Sequence, residues 1–343
     1  MIKLSVCIPT YNRSDELYNC LNSIYIAHKK FEKFKFDICV SDNGSSYDSF
    51  KIIKFFRKKF NKRINIKFHR FSSNKGVCKN FLKAISMSKS EFIWAIGDDD
   101  LLLPNTFKKI NKIFLIDKKI EFFFINSFNL DSEYLKNYQK PFDTINLPKN
   151  MKKFSQKKGN QILNFFELID PNISDDFLMG IYLSIFRRDK WEKNLKVLNK
   201  KKIKDKKWIS NFDNSCFNVK VFGEAFKNSR AYFQSDPLSV NLSGRRVWKN
   251  KYYFLEIVRF PEMLDYYRSK GLGLFRYIYC KNFALRNFSN YMIKILLNKN
   301  KNYGWEHISF YKHFLRNLIF PNVYLSIIYF FLRKFKNAIN HLK

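Results

Sequence analysis

Negative charge is scarce in this chain. Of 343 residues, 29 are Asp or Glu against 64 Lys or Arg, a formal net charge of +35. Such a surface attracts polyanions: nucleic acid, anionic lipid or phosphorylated ligands. It bears on partners and says nothing of fold. Cys7, Cys20, Cys39, Cys78, Cys216 and Cys280 are scattered and never spaced C-x-x-C, which predicts the reduced, buried thiols of a cytosolic protein. No stretch of about 18 uncharged apolar residues occurs, so no spanning helix is expected. The opening MIKLSVCIPTYNR turns polar too soon to read as a signal peptide. There is no internal repeat.

A chain of this length, 46% hydrophobic, fits one large domain or a domain with an extension. Its 39 Phe, with many Lys and Asn, reflect a compositional bias and carry no functional signal. Over the first 125 or so residues, short β-rich runs alternate with helical patterns. KLSVCIPT, FDICVSD, INIKFHR, EFIWAI and IEFFFIN read as strands. Between them lie a helix opened by Ser14 as its cap, with Leu17, Cys20, Leu21 and Ile24 on one stripe, a basic helix near 47–61, and a third helix over 77–88. Strands separated by 10–15-residue helices predict βαβ units and an α/β fold with a mainly parallel sheet. Ligands in such folds bind beyond the carboxyl ends of the strands.

Residues 127–177 read as an insertion or mobile loop, with a helix at 160–169. FLMGIYLSIF (177–186) reads as a strand, 213–228 as a helix, and AYFQSDPLSV as a short strand with a turn. From about 250 the pattern is helical, aromatic and basic. Residues 266–343 hold nine Lys and five Arg against one acid, Glu306. LIFPNVYLSIIYFFLRKFK is Pro-broken and too short to span a bilayer, but a basic amphipathic stretch suits the membrane interface.

Against this basic background AIGDDDLLLP concentrates three acids. One carboxylate would suffice to cap a helix opening near Pro104. Three in a row read instead as a hard-cation site, since Mg²⁺ or Mn²⁺ takes one or two carboxylates plus substrate phosphates. The same edge gathers Pro9, Thr10, Tyr11 and Asn12 after the first strand, an aromatic and small polar groups suited to a base. It also gathers Asp42 after the second strand, able to accept from a base N–H. Asn74-Lys75-Gly76 opens a helix whose free N–H groups, with Lys75 and Lys79, suit phosphate.

IPTYNR, VSDNGSSYD, NKGVCKNFLKAI and WAIGDDDLLLP, in that order, resemble glycosyltransferase family 2 with the GT-A fold, and within it the abequosyltransferase-like transferases of bacterial surface polysaccharides. The resemblance is strong over residues 1–125, weaker over 177–248 and absent beyond about 250. It implies a GT-A catalytic domain over 1–248, with a nucleotide-sugar-binding half (1–125) and an acceptor half (126–248), followed by a helical extension over 249–343. It further implies a nucleotide-sugar donor, a UDP-sugar foremost, a divalent cation (Mn²⁺ or Mg²⁺) and an inverting single displacement. Thr10 and Tyr11 would then contact the base and Asp42 pair with its N–H. Asp98 would hold the ribose or a metal-bound water, Asp99 would ligate the metal, and Asp100 would close the motif. A general base for the acceptor hydroxyl is also implied. Asp213, before a helix, fits best, with Asp175 and Asp176 in reserve. Arg245, Arg246 and Trp248 are placed on a loop closing over the diphosphate or acceptor.

The expected acceptor is a lipid-linked or surface glycan, and the expected location is the cytoplasm, on the anionic inner face of the cytoplasmic membrane; nucleic acid is not expected as a partner. Two readings compete. A nucleotidyltransferase making an activated sugar would carry a Gly-rich phosphate loop after the first strand, where IPTYNRSDE holds no glycine. A non-enzymatic basic protein binding membrane or nucleic acid leaves the aspartate run unexplained.

Overall fold

LSVCIPT is apolar on both faces, the pattern of a strand covered on both sides. It forms β1 (Leu4–Thr10) in the interior of a ten-stranded sheet. The computed structural model describes residues 3–61, 63–130, 140–242, 251–301 and 303–342, with 333–342 by backbone alone; Arg245, Arg246 and Trp248 lie outside the described residues. After β1 come α1 (Ser14–Lys30), β2 (Phe36–Asp42), α2 (Ser49–Lys59), β3 (Asn65–Arg70), α3 (Val77–Ser86) and β4 (Phe92–Ala95). β1 pairs in parallel with β2 and β4, and β2 with β3. This is the predicted βαβ series. Ser14 is the first helical residue rather than the cap; Arg13 takes the cap position without a side-chain hydrogen bond.

The second half completes the sheet with β5 (Asp100–Leu102), α4 (Thr106–Ile113), β6 (Ile120–Leu130), β7 (Lys152–Lys153), β8 (Gln161–Asn164), β9 (Ser184–Arg187), α5 (Arg188–Asn194), α6 (Phe212–Ser215), α7 (Phe217–Ala225) and β10 (Arg230–Leu242). The main path runs β3-β2-β1-β4-β9-β6-β10-β5. β9 lies antiparallel between β4 and β6, while β10 runs parallel to β6.

Four expectations are corrected here. Residues 161–164 are strand, because they pair with β10, and only Phe165–Leu168 form a single 3₁₀ turn. The strand expected over 177–186 begins at Ser184. Ahead of it the backbone is committed elsewhere: Asn218 Nδ2 donates to the carbonyls of Leu178 (3.0 Å) and Met179 (3.1 Å), and Trp94 Nε1 donates to the Tyr182 carbonyl (2.7 Å). AYFQSDPLSV belongs to one 13-residue strand, whose register breaks between Gln234 and Ser239, around Pro237, which has no N–H for the ladder. The helix expected over 213–228 is two, α6 and α7, parted at Cys216.

Leu4, Val6 and Ile8 face one core with Leu17, Ile24, Ile38 and Trp94. Cys7, Cys39, Ile93 and Ala95 face the other with Phe177, Phe222 and Tyr267. All six cysteines are buried free thiols. Beyond residue 250 the chain is helical, as expected: α8 (Tyr252–Phe254) runs through a π turn into α9 (Phe260–Ser269), then come α10 (Leu274–Ala284), α11 (Phe288–Leu297) and α12 (Pro321–Leu342). Their core, Phe254, Val258, Phe288, Ile295, Phe320 and Val323, includes Ile209 from the second half. Among the described residues, no single helix is long and apolar enough to cross a membrane.

Candidate donor site at the carboxyl edge of the sheet

In the parallel register Thr10 stands opposite Asp42, so the ends of β1 and β2 meet at one edge. The chain turns away from β1 at Asn12, whose left-handed φ of 53° suits an asparagine. Asn12 N–H donates to Ser45 Oγ (2.9 Å), and its Oδ1 accepts from Ser46 N–H (2.7 Å). The two strand-end turns are thereby tied together. Gly44 (φ 79°) permits the close approach of the next loop, since a Cβ there would lie 2.8 Å from Ser73 Cα. Tyr11, 40% exposed, offers its ring to solvent at this edge.

Asp42 is wholly buried. Its Oδ1 accepts from Ser45 N–H (3.0 Å) and Oγ (2.6 Å), its Oδ2 accepts from Ser49 Oγ (2.5 Å), and Arg70 Nε stands 3.4 Å from Oδ2. In this arrangement Asp42 organises the turn, and contact with a base N–H requires exchange of one of these partners. Tyr47 escaped the sequence reading. Its buried hydroxyl has no well-formed hydrogen bond, and burial, followed by the charges of Asp42 and Asp98, pushes its pKa up to about 12.

The start of α3 is held by asparagines. Asn43 Oδ1 accepts from Lys75 N–H (2.8 Å), and Asn74 Oδ1 accepts from Gly76 N–H (2.8 Å). These two N–H groups precede the helix and shape the turn into it, while the half-buried Lys75 and Lys79 stand at the helix start. Asn80 Nδ2 donates to the Thr10 carbonyl (3.1 Å) and locks α3 to the end of β1.

The three aspartates play unequal parts. Asp100 is buried, with Oδ2 accepting from Gly97 N–H and Oδ1 from Asn241 Nδ2, both at 2.7 Å. It closes the turn and fastens it to β10, the orienting role, and both oxygens are used in doing so. Asp98 Oδ2 accepts from Thr10 Oγ1 (2.8 Å). Arg13 Nη1 lies 3.2 Å from Asp98 Oδ1 and 2.7 Å from Asp99 Oδ2. Burial and then the neighbouring Asp99 push Asp98 up to about 7, against the opposing pull of Arg13 and Thr10. Burial opposes the charge on Arg13, but the two carboxylates outweigh it and its pKa rises.

Among the described residues no three His, Cys, Asp or Glu side chains gather to hold a metal alone. A hard cation completed by substrate phosphates asks for less, one or two carboxylates. Asp98 and Asp99 meet that demand, since both already converge on one cationic nitrogen. Arg13 was not singled out in the sequence; its place beside TYN was the available signal.

The candidate bases sit differently. Asp213 is buried, and its Oδ1 accepts from Asn199 N–H (2.7 Å) and Lys220 Nζ (2.7 Å). Asp176 lies in the segment that leads, through the turn of Ile181–Leu183, into β9. Its Oδ1 accepts from Ser174 Oγ (2.7 Å) and its Oδ2 from Gly180 N–H (2.8 Å). Burial and then Asp175 push it up to about 6. Asp175 is raised too, by burial. Phe177 and Leu178, the next two residues, are left-handed (φ 52° and 67°). That conformation costs about 1–3 kcal/mol in a non-glycine residue, and such strain gathers at functional sites.

Residues 5–168 match the family described as Glycosyl transferase family 2. Abequosyltransferase RfbV of Salmonella typhimurium is 38% identical over 105 residues, 30% of this chain and 30% of that protein. Poly(ribitol-phosphate) beta-N-acetylglucosaminyltransferase TarS of Staphylococcus aureus is 30% identical over 108 residues, 32% of this chain and 18% of that protein. The match thus spans under a third of either relative. Among solved structures, S. aureus TarS 1–349 in complex with UDP-GlcNAc superposes over 84% of this chain and 73% of that one, with a TM-score of 0.55 at 16% identity. The fold is GT-A: α/β, with a mostly parallel sheet flanked by helices.

Proposed function

We propose, on the premise that residues 5–168 belong to glycosyl transferase family 2, that this chain is a metal-assisted, inverting glycosyltransferase. It moves a sugar from a nucleotide-diphosphate-sugar, a UDP-sugar foremost, to a hydroxyl of a lipid-linked or surface glycan. The convergence of Asp98 and Asp99 on a single cationic point at the ligand-binding edge carries this reading. Mg²⁺ or Mn²⁺ held by these two acids would neutralise the diphosphate as it leaves. The half-exposed Tyr11 ring faces the base, Thr10 positions Asp98 through its hydroxyl, and Lys75 and Lys79 meet phosphate charge. The name of one relative, a poly(ribitol-phosphate) transferase, supports a polymeric acceptor.

Inversion needs a base on the acceptor side. Asp213 and Asp176 both serve the reading. Asp176 is favoured by the strained backbone beside it and by a pKa near working pH, whereas Asp213 must first give up Lys220. Residues 1–248 form the catalytic domain in this reading, with 249–343 as an extension. That extension docks peripherally on the anionic inner leaflet of the cytoplasmic membrane. Phe310–Asn317 and Pro321–Leu332 form an apolar pair bent by 90°, and Ile319 (80%) and Phe331 (64%) stand exposed on it. Incubating the purified chain with a panel of nucleotide-sugars, with and without Mn²⁺, tests the assignment. Metal-dependent release of nucleotide diphosphate from one donor is the expected result, and none from any donor defeats it.

A further inference from the structure

A cavity of about 340 Å³ opens between the second half of the chain and the C-terminal helices, apart from the acid turn. Its lining is Lys207, Ile209, Lys251, Lys299, Glu306 and His307. Three lysines from three separate segments meet one carboxylate, so the wall carries surplus positive charge. His307 adds a second sign of an absent partner. Its Nε2 is buried without a hydrogen bond, since Glu306 Oε1, at 3.5 Å, stands too far. Buried ring nitrogens are normally satisfied. Burial lowers the His307 pKa; Glu306 and Asp205 oppose the shift, while Arg259 and Lys207 add to it.

The cavity is built into the fold. Gly304 is left-handed (φ 93°), and a Cβ there would lie 2.8 Å from Phe254 and 3.1 Å from Ile209. Only glycine lets the turn carrying Glu306 and His307 seat on these two residues. On the opposite side, Asn214 Nδ2 donates to the carbonyls of Asp205 (2.7 Å) and Lys207 (3.0 Å), fixing the loop that presents Lys207. That loop also packs on the start of α3, where a Cβ on Gly76 would lie 3.2 Å from Lys206 Cα. One loop thus touches the proposed donor site and the cavity.

We infer that this cavity is a phosphate-binding site that holds the diphosphate group of the acceptor while its sugar hydroxyl reaches the donor. The inference rests on the transferase reading for the word acceptor, but the anion site stands on its own lining. Lysines pair with phosphate oxygens as point charges, and charge-assisted bonds of this kind are the strong ones. The His307 Nε2 supplies a directional partner.

The test uses the full chain with its histidine rings isotopically labelled, titrated with inorganic pyrophosphate and, separately, with a short-chain prenyl diphosphate. His307→Gln identifies the His307 signals. Saturable movement of those signals with both probes is expected. Affinity should fall about tenfold or more in Lys251→Ala/Lys299→Ala, and likewise in Lys207→Ala. Hydrolysis of the donor sugar should stay unchanged in these variants. No saturable response, or a response indifferent to the lysines, overturns the site. Response to pyrophosphate alone overturns its assignment to the acceptor. Diphosphate binding in a protein that hydrolyses no donor would leave the site standing and bring down the transferase reading.

Discussion

Arg13 Nη1 lies 2.7 Å from Asp99 and 3.2 Å from Asp98, so one guanidinium nitrogen bridges both carboxylates of the proposed metal pair. A cation already stands where a divalent ion would act, and the two compete for the same oxygens. Arg13→Gln should therefore lower the melting temperature in metal-free buffer, because it leaves two adjacent carboxylates without their shared cation. Millimolar Mn²⁺ should then raise the melting temperature more in the variant than in the parent, by linkage. Equal metal shifts in the two would show that the pair is no metal site.

Asp99→Asn should abolish metal-dependent transfer with little change in stability. Asp99 is the more exposed of the two carboxylates and ties no turn together. Rates with and without Mn²⁺, alongside a thermal melt, check this. By contrast, Asp100→Asn should cost stability, because both of its oxygens are engaged within the fold.

The base assignment is read from a pH profile. An Asp176 carboxyl at about 6 works only when deprotonated, so turnover should rise as pH increases through 6 and level off above it. Asp176→Asn should remove that limb and at least about two orders of magnitude of rate, with donor binding retained. If the limb survives and Asp213→Asn removes turnover instead, Asp213 is the base.

Glu262 anchors the extension. One of its oxygens accepts from Arg259 Nη1 (2.5 Å), the other from Lys312 Nζ (2.5 Å) and His313 Nε2 (3.1 Å). Burial alone would raise its pKa; His313, Arg259 and Lys312 outweigh it and hold Glu262 down at about 2. A depressed carboxyl stabilises the fold above its unfolded value. That contribution should disappear as pH falls from about 4.5 toward 2. Glu262→Gln should lower stability at neutral pH and flatten the acid limb of a denaturation curve.

Ile319→Asp/Phe331→Asp places two charges on the exposed apolar surface without touching the core. Flotation with vesicles containing anionic lipid should show binding by the parent and loss by the variant. Binding that persists would remove membrane docking by this segment.

The βαβ half was readable because its strands are buried on both faces and its helices keep an apolar stripe; FDICVSD matches β2 residue for residue, and KLSVCIPT overshoots β1 by Lys3 alone. The second half was harder, since its strands are decided by distant partners. Residues 161–164 look helical until β10 offers them a ladder, and 177–183 look like strand until Asn218 and Trp94 claim their backbone. The aspartate run was legible as a cluster. Its division of labour was not, because Asn241, the partner of Asp100, stands 141 residues away in the chain.

The six buried thiols give the molecule its own set of internal clocks. Cys20 Sγ sits 3.7 Å from the Gly97 carbonyl beneath the acid turn, and Cys280 Sγ 3.3 Å from the Ile169 carbonyl where α10 meets the second half. Burial holds both thiols well above the usual range, so alkylation waits for each site to open. Timed alkylation with site-resolved mass spectrometry would therefore time two breathing motions separately: the loosening of the acid turn, and the lifting of the C-terminal helices away from the sheet.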